Sequence, residues 1–179
     1  MPPLPSIFTD TKTEKVLIDL TAQLLQSIAH GDWDTYARLC SHDVTAFEPE
    51  AGEHQVQGLD FHKFFFDLDK SQSSPPPPYE DSTTGVSPAL PPPTTTLVSP
   101  HVRFLSSDRT SALITYVRLV QRATPTGGVT IKNSQETRVW EWEKKDSAWK
   151  CVHVHRSNVN VPVPAVVQPA KKCPCKAKL

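Results

Sequence analysis

Residues 112–122 read ALITYVRLVQR, and their apolar and polar side chains alternate along the chain. Because successive side chains of a strand point to opposite faces, this alternation predicts a β-strand. Three further stretches show the same period of two, at 95–105, 129–143 and 148–157. Short links rich in turn residues separate the four stretches, as in hairpins. The C-terminal part of the chain is therefore predicted to form an antiparallel sheet.

The first part of the chain shows a helical period instead. Segment 11–28 opens with the capping-box sequence Thr-Lys-Thr-Glu, and its apolar residues then recur at three- and four-residue steps. We expect Gly31 to end this helix and Asp32 to cap a short second one. Residues 44–47 are a short strand candidate, and a third amphipathic segment follows Gly58. Helices followed by an antiparallel sheet predict an α+β fold.

The composition excludes several classes of protein. The 179 residues carry 19 Lys plus Arg and 19 Asp plus Glu, so the formal net charge is zero. A protein that coats nucleic acid would carry a basic excess, and we expect no nucleic-acid partner. No apolar run approaches the roughly 18 residues of a membrane-spanning helix, and the first residues do not resemble a secretory signal. We therefore expect a cytoplasmic chain with no membrane partner, whose four cysteines are reduced thiols.

Proline marks the organisation of the chain. Nine of the 18 prolines fall between residues 75 and 100. Proline removes backbone donors and fixes φ, so we predict a long surface loop at 71–93 inside one domain that spans 11–160. A polyproline II ligand for another domain is the alternative reading of this loop. Residues 1–10 and 161–179 are expected to be an N-terminal tail and a disordered C-terminal tail.

Both faces of the predicted sheet are partly apolar. The strand period places on one face Ile114, Tyr116, Arg118, Glu136, Arg138, Trp140, Val152, Val154 and Arg156. It places on the other Leu113, Val117, Leu119, Thr137, Val139, Glu141, Trp149, Cys151, His153 and His155. Antiparallel sheets commonly keep one face in water. The helices can cover one face here, and a second copy of the chain is the simplest cover for the other, so we expect a homo-oligomer.

Three arginines share the first of these faces. A guanidinium cannot shed its charge, so Arg118, Arg138 and Arg156 need carboxylates or a bound anion if they are buried. Glu136 lies on the same face, and the Glu48/Glu50 pair is a further source of carboxylates. The residues alone favour a structural ion-pair network, and a cavity that binds a carboxylate or phosphate is the alternative.

Eight collinear blocks of the sequence resemble the association (hub) domain of calcium/calmodulin-dependent protein kinase II. They are residues 24–36, 39–40, 45–51, 58–64, 99–102, 116–119, 136–140 and 152–157. The resemblance implies the cone-shaped fold of nuclear transport factor 2 and ketosteroid isomerase, with a long N-terminal helix across a strongly curved antiparallel sheet. It implies that subunits pair into dimers and that dimers close into two stacked rings, a dodecamer or tetradecamer, which gather kinase domains. It implies no cofactor.

The resemblance also implies an arginine-lined pocket that accepts small carboxylates or the kinase regulatory segment. Here its residues would be Arg118, Arg138 and Arg156, with Glu136 on the same face, and with His62 and His101 in matching motifs nearby. Three features depart from the family pattern. The sequence shows no kinase motifs or calmodulin-binding basic helix, so we expect a hub without a kinase domain. The 71–93 loop is longer, and Leu68, Asp69 and Lys70 stand near its start where the family often has a tryptophan. The cysteine-containing tail has no counterpart in the family.

Three other functions compete with a scaffold. A small enzyme acting in the cone cavity would need a positioned base, for which Asp60, His62 or His101 are candidates. A metal site could use Cys151 with His153 and His155, or the Cys173/Cys175 pair, although packing explains the first group better. The tryptophans of the strands could stack on a nucleotide, although core packing is more common for them. The last three residues, Ala-Lys-Leu, resemble a peroxisomal address, which is the alternative to the cytoplasm.

Overall fold

The computed structural model describes residues 10–52, 54–72 and 90–158, in three helices and six strands. The helices are α1 (Asp10–His30), α2 (Trp33–Leu39) and α3 (Asp60–Gln72). The strands are β1 (Cys40–Phe47), β2 (Val56–Gln57), β3 (Thr94–Phe104), β4 (Ser111–Ala123), β5 (Val129–Glu143) and β6 (Ala148–Asn158), and a 3-10 turn covers Pro49–Ala51. The α+β prediction is confirmed. Most of the predicted 71–93 loop, and both predicted tails except Asp10, lie outside the described residues.

The sheet is mixed rather than purely antiparallel. Its strand order is β2-β1-β6-β5-β4-β3, in which β3 to β6 form the predicted antiparallel series. Strand β1 adds to β6 in parallel, and β2 adds to β1 antiparallel. The helical segment ahead of the sheet thus contributes its own strands to one edge.

Helix α1 lies against β3 and supplies much of the core. Its stripe of Leu17, Leu24 and Leu25 is completely buried. The helix begins at Asp10, before the predicted capping box, so the first threonine of that box lies inside the first turn. Gly31 ends the helix with φ of 66°, a left-handed conformation that glycine adopts at little cost.

The structure confirms the prediction that Asp32 caps the N-terminus of α2. Asp32 Oδ1 accepts a hydrogen bond of 3.0 Å from the backbone N–H of Thr35. This carboxylate satisfies one of the free donors at the start of the helix. Residues Tyr36 and Leu39 then turn inward and are buried.

The inner face of the sheet differs from the predicted one in β6. Val139 of β5 pairs with His153 and Trp140 pairs with Cys151, so Val152 is an extra residue that forms a bulge. The bulge changes the phase of the strand by one residue. Trp149 and Cys151 are therefore buried in the core beside Trp140, and their predicted place on the outer face is wrong. Val154 and Arg156 keep the predicted inner face, because they follow the bulge.

The outer face of the sheet carries apolar side chains that stay partly exposed. Leu113, Val117, Leu119 and Val139 are half-buried. At the far end of the β4–β5 hairpin, Val129 and Ile131 are 64% and 61% exposed. No helix within the described ranges is long and apolar enough to cross a membrane.

Candidate functional site

A cavity of about 320 Å³ opens between the inner face of the sheet and the helices. Its described lining includes side chains from six elements and the turn after β1: Ile28, Tyr36, Glu48, Glu50, His62, Phe65, Phe66, Arg118, Val120, Arg122, Lys132, Asn133, Ser134, Arg138 and Arg156. The alternation of β4 and β5 brings Arg118 and Arg138 to this face, and the bulge of β6 brings Arg156 there. The structure thus brings the three predicted arginines together.

Glu136 is the counter-charge behind the cavity wall. Its carboxylate lies 3.7 Å from Arg118 Nη1 and 3.3 Å from Arg138 Nη2. The hydroxyls of Tyr116 and Ser134 donate hydrogen bonds of 2.7 and 3.1 Å to it. Burial raises the pKa of Glu136, but the charges of Arg138 and Arg118 outweigh burial and hold this pKa below its usual value. One buried carboxylate therefore stays ionised and is shared by two guanidinium groups.

Tyr116 extends this network to the second guanidinium. Arg138 Nε donates a hydrogen bond of 2.7 Å to the Tyr116 hydroxyl, which in turn donates to Glu136. Arg138 is almost completely buried, whereas Arg118 keeps a small exposed fraction. Nε of Arg118 makes no hydrogen bond within the described residues. An unpartnered buried donor of this kind is costly, and a bound acceptor in the cavity would satisfy it.

Arg156 pairs with the two carboxylates that follow β1. Its Nη2 contacts Glu50 Oε2, and its Nε lies 3.9 Å from Glu48 Oε1. Burial raises the pKa of Glu48 despite the Arg156 charge. Burial also raises the pKa of Glu50, but the hydrogen bond and the charge of Arg156, with smaller contributions from the Glu50 backbone and Arg118, together outweigh burial and lower this pKa. The third arginine is thus held by carboxylates that follow the neighbouring strand, β1.

His62 lies deep in the same cavity as a neutral ring. Burial and the nearby Arg138 charge lower its pKa to about 4, although the Gly58 backbone opposes the shift. Its Nε2 lies 3.9 Å from Glu48 Oε2, and neither ring nitrogen makes a hydrogen bond within the described residues. The ring packs against Tyr36, with ring centroids 5.5 Å apart.

The lining carries an excess of positive charge. Its described part has five cations, since Arg122 and Lys132 add to the three central arginines, and two carboxylates, Glu48 and Glu50. Glu136 behind the wall supplies a third negative charge. An excess of cations in a partly enclosed space attracts an anion, and guanidinium forks match a carboxylate or phosphate in shape. The arrangement can therefore hold an anionic ligand.

His101 is the one predicted site residue that lies elsewhere. It stands on β3 opposite Thr115, on the outer face of the sheet, and is exposed. The pairing of β3 with β4 shifts register between Val98 and His101, and this shift determines which face of the sheet His101 takes. The sequence reading missed Arg122 and Lys132, which share the alternation of Arg118 and Glu136. Counting four residues onward from Arg118 and four residues backward from Glu136 would have found them.

The groupings behind two competing functions do not form. The bulge turns Cys151 inward, while His153 Nδ1 is 2.7 Å from Thr45 Oγ1, so the predicted metal group does not converge. No cluster of three metal-ligating side chains occurs in the described part of the chain. Trp142 and Trp149 pack edge to face with centroids 5.9 Å apart. The second cysteine pair and the Ala-Lys-Leu end lie outside the described residues.

Comparison with known proteins identifies the family. The family described as calcium/calmodulin dependent protein kinase II association domain matches residues 13–75 and 91–160. The chain belongs to this family. A relative from Drosophila melanogaster, the calcium/calmodulin-dependent protein kinase type II alpha chain, is 38% identical over 143 residues. That match covers 79% of this chain and 23% of the relative, so this association domain spans less than a quarter of the curated kinase chain.

Solved structures confirm the fold of the association domain. The association domain of C. elegans CaMKII is 31% identical with a TM-score of 0.64, and the match covers 83% of this chain and 98% of that one. The CaMKII hub homology domain of Chlamydamonas reinhardtii is 37% identical with a TM-score of 0.65, covering 82% and 98%. A nuclear transport factor 2-like protein from Salmonella enterica shares the fold at 14% identity and a TM-score of 0.60, covering 95% and 100%. The expected family and cone fold are thereby confirmed, and the peroxisomal alternative gains no support from the relatives.

Proposed function

We propose that this association domain is a self-assembling hub, which closes into two stacked rings and gathers kinases or regulatory segments. Membership of the association-domain family carries the proposal. The half-buried apolar residues of the outer face, such as Val117 and Val139, support it because a second copy of the chain would cover them. A dodecamer, a tetradecamer or a larger two-ring assembly would follow from the angle between neighbouring dimers.

Native mass spectrometry at micromolar concentration tests the assembly. We expect a single dominant species of about 240–280 kDa, which corresponds to twelve to fourteen copies of the 19.9 kDa chain, or a larger multiple. Dilution series distinguish a closed ring from weak association, because a closed ring buries every interface and resists dilution. A chain that remains a monomer at every concentration would refute the proposal.

The cavity is proposed to bind a small carboxylate or an acidic peptide segment. Its cation excess and the unpartnered Nε of Arg118 support this function. Calorimetric titration with a short dicarboxylate should give saturable binding that Arg118→Gln weakens at least tenfold. Arg103→Gln is the matched control, because Arg103 is exposed on β3 outside the cavity. Equal loss of binding in both variants would contradict a specific site.

We propose a non-catalytic role for the cavity. The family is named for association, and the enzymes among the structural neighbours share only the fold, as does a putative dehydratase from Streptomyces avermitilis at 17% identity. Of the candidate bases, His101 lies on the outer face and Asp60 does not belong to the cavity lining described above. His62 lies 3.9 Å from the Glu48 carboxylate, but burial and the Arg138 charge lower its pKa to about 4, well below that of a base tuned to neutral pH.

A further inference from the structure

Two cysteines face each other across neighbouring strands at the edge of the charge cluster. Cys40, the first residue of β1, is the direct partner of Cys151 in the parallel β1–β6 ladder. Both are free thiols in the hydrophobic core, 3% and 0% exposed. The two thiols are close enough that each is the first cause of the shift in the other's pKa. The pair is therefore not two separate packing residues but a preformed dithiol.

The backbone geometry allows these thiols to join. Neighbouring strands lie about 4.7–4.9 Å apart. A disulfide accepts Cα separations of about 4.4–6.8 Å when the side chains point toward each other. Direct ladder partners that both face the core fall within this Cα range, so a bond between Cys40 and Cys151 needs rotation of the two side chains toward each other rather than rearrangement of the strands.

Arg138 gives the two thiols different chemistry. Its Nη1 lies 3.7 Å from Cys151 Sγ, which also lies 3.5 Å from the carbonyl oxygen of His153. The hydrogen bond from Cys40, together with the Arg138 charge, lowers the pKa of Cys151 to about 7 against the effect of burial. The Cys40 pKa is raised by the same hydrogen bond and by burial. One thiol is thus prepared as a nucleophile and the other stays protonated beside it.

The charge count of the cluster supports an anionic sulfur at this position. Arg138 shares Glu136 with Arg118, so a single buried carboxylate faces two buried guanidinium groups. Arg138 also lines the cavity, and Cys151 lies directly behind it. A small oxidant that enters the cavity is therefore separated from the sulfur by one side chain.

We propose that Cys40 and Cys151 form an oxidation site for hydroperoxides, in which a disulfide links β1 to β6. The Cys151 thiolate attacks the terminal oxygen of hydrogen peroxide, the O–O bond breaks, and the hydroxide that leaves takes up a proton as water. The product is a Cys151 sulfenic acid. The Cys40 sulfur then attacks the Cys151 sulfur, the S–O bond breaks, and the Cys40 proton leaves with the hydroxide as a second water. Two thiols are oxidised by two electrons and one peroxide is reduced.

Intact-mass analysis tests the site in the full chain. The variant Cys173→Ser/Cys175→Ser serves as background, so that only the two core thiols are counted. After treatment with hydrogen peroxide, unfolding and alkylation, we expect a mass about 2 Da lower than the thiol form and the loss of both alkylation adducts. Digestion without reductant should yield one peptide pair joined through positions 40 and 151. Two thiols that remain fully alkylated would overturn the proposal.

Single variants assign the roles of the two sulfurs. In the same background, Cys40→Ser should trap the sulfenic acid, seen as a gain of about 16 Da and as a dimedone adduct on Cys151. Cys151→Ser should abolish the reaction, because the remaining thiol lies farther from Arg138 and stays protonated. Equal reactivity of the two single variants would refute the assignment of Cys151 as the nucleophile. The background chain needs no core substitution, so its peptide map decides the proposal even if a single variant does not fold.

Discussion

Replacement of Glu136 by glutamine tests whether the arginine cluster is held by this one carboxylate. The substitution keeps the shape and the hydrogen-bonding oxygen of the side chain but removes its charge. Arg118 and Arg138 would then be left without a buried counter-ion. At an effective dielectric constant of about 20, a charge pair at 4 Å has about 4 kcal/mol of attraction before desolvation is counted. Removing one partner of a buried pair costs about 3–5 kcal/mol, which we expect for the free energy of unfolding of Glu136→Gln.

Urea unfolding at one fixed protomer concentration measures this loss, because assembly shifts the apparent stability of an oligomer. The control is Glu141→Gln on the same strand, where the side chain is exposed and the expected change lies within about 0.5 kcal/mol. The variant should also bind a dicarboxylate more tightly, since its cavity gains one uncompensated cation. A loss below about 1 kcal/mol, with unchanged anion affinity, would show that water or another group neutralises the arginines and would refute the reasoning.

Three further predictions concern other parts of the molecule. Because burial lowers the pKa of His62 from 6.5 to about 4, the unfolded chain binds this proton first, and up to about 3 kcal/mol of stability should disappear as pH falls from 6.5 to 4. The urea midpoint should decline more steeply over this pH range in the unsubstituted chain than in His62→Gln. Parallel declines in the two proteins would contradict the prediction. Gly31→Ala should lower the free energy of unfolding by about 1 kcal/mol, measured by thermal unfolding, and Gly31→Asn should lower it less, because asparagine tolerates the left-handed conformation. Equal losses in the two variants would argue against backbone strain at this position. Val117→Glu places a charge on the outer face, so native mass spectrometry should show smaller species while the helical circular dichroism signal is unchanged. The control Thr126→Glu, in an exposed turn, should leave the assembly intact. An intact ring in both variants would exclude the outer face from the subunit interfaces.

The sequence predicted the strands of the antiparallel series far better than their neighbours. Strands β3 to β6 begin and end within about one residue of the predicted stretches, because a period of two sustained over ten or more residues leaves little freedom. The parallel pairing of β1 with β6 could not be predicted in this way. Alternation tells which face a side chain takes, but it does not tell which strand lies beside it. The partner of Cys40 stands more than a hundred residues further along the chain.

The candidate site was predicted where the period was unbroken and missed where it shifted. Arg118, Glu136 and Arg138 follow directly from the alternation of β4 and β5. His101 was assigned from its place in a matching motif, and the register shift in β3 sets it on the outer face instead. Arg122 and Lys132 were within reach of the same alternation, but both stand where the hairpin runs beyond β6 and becomes exposed, so burial gave no reason to choose them.

In a strand that contains Val152, the bulge at this residue is the feature on which both the cavity and the dithiol depend. If Val152 took an ordinary place in the alternation, a strand that turns Cys151 inward would also turn His153 and His155 inward and would carry Arg156 to the outer face. As an extra residue, it lets the first part of β6 place Cys151 beside Arg138 and the last part place Arg156 opposite Glu136. Deletion of Val152 removes this extra residue and leaves a regular ladder with the same pairing, so the variant should keep both its dicarboxylate affinity and the 40–151 disulfide. A deletion variant that loses either property would show that Val152 does more than occupy an unpaired position in the ladder.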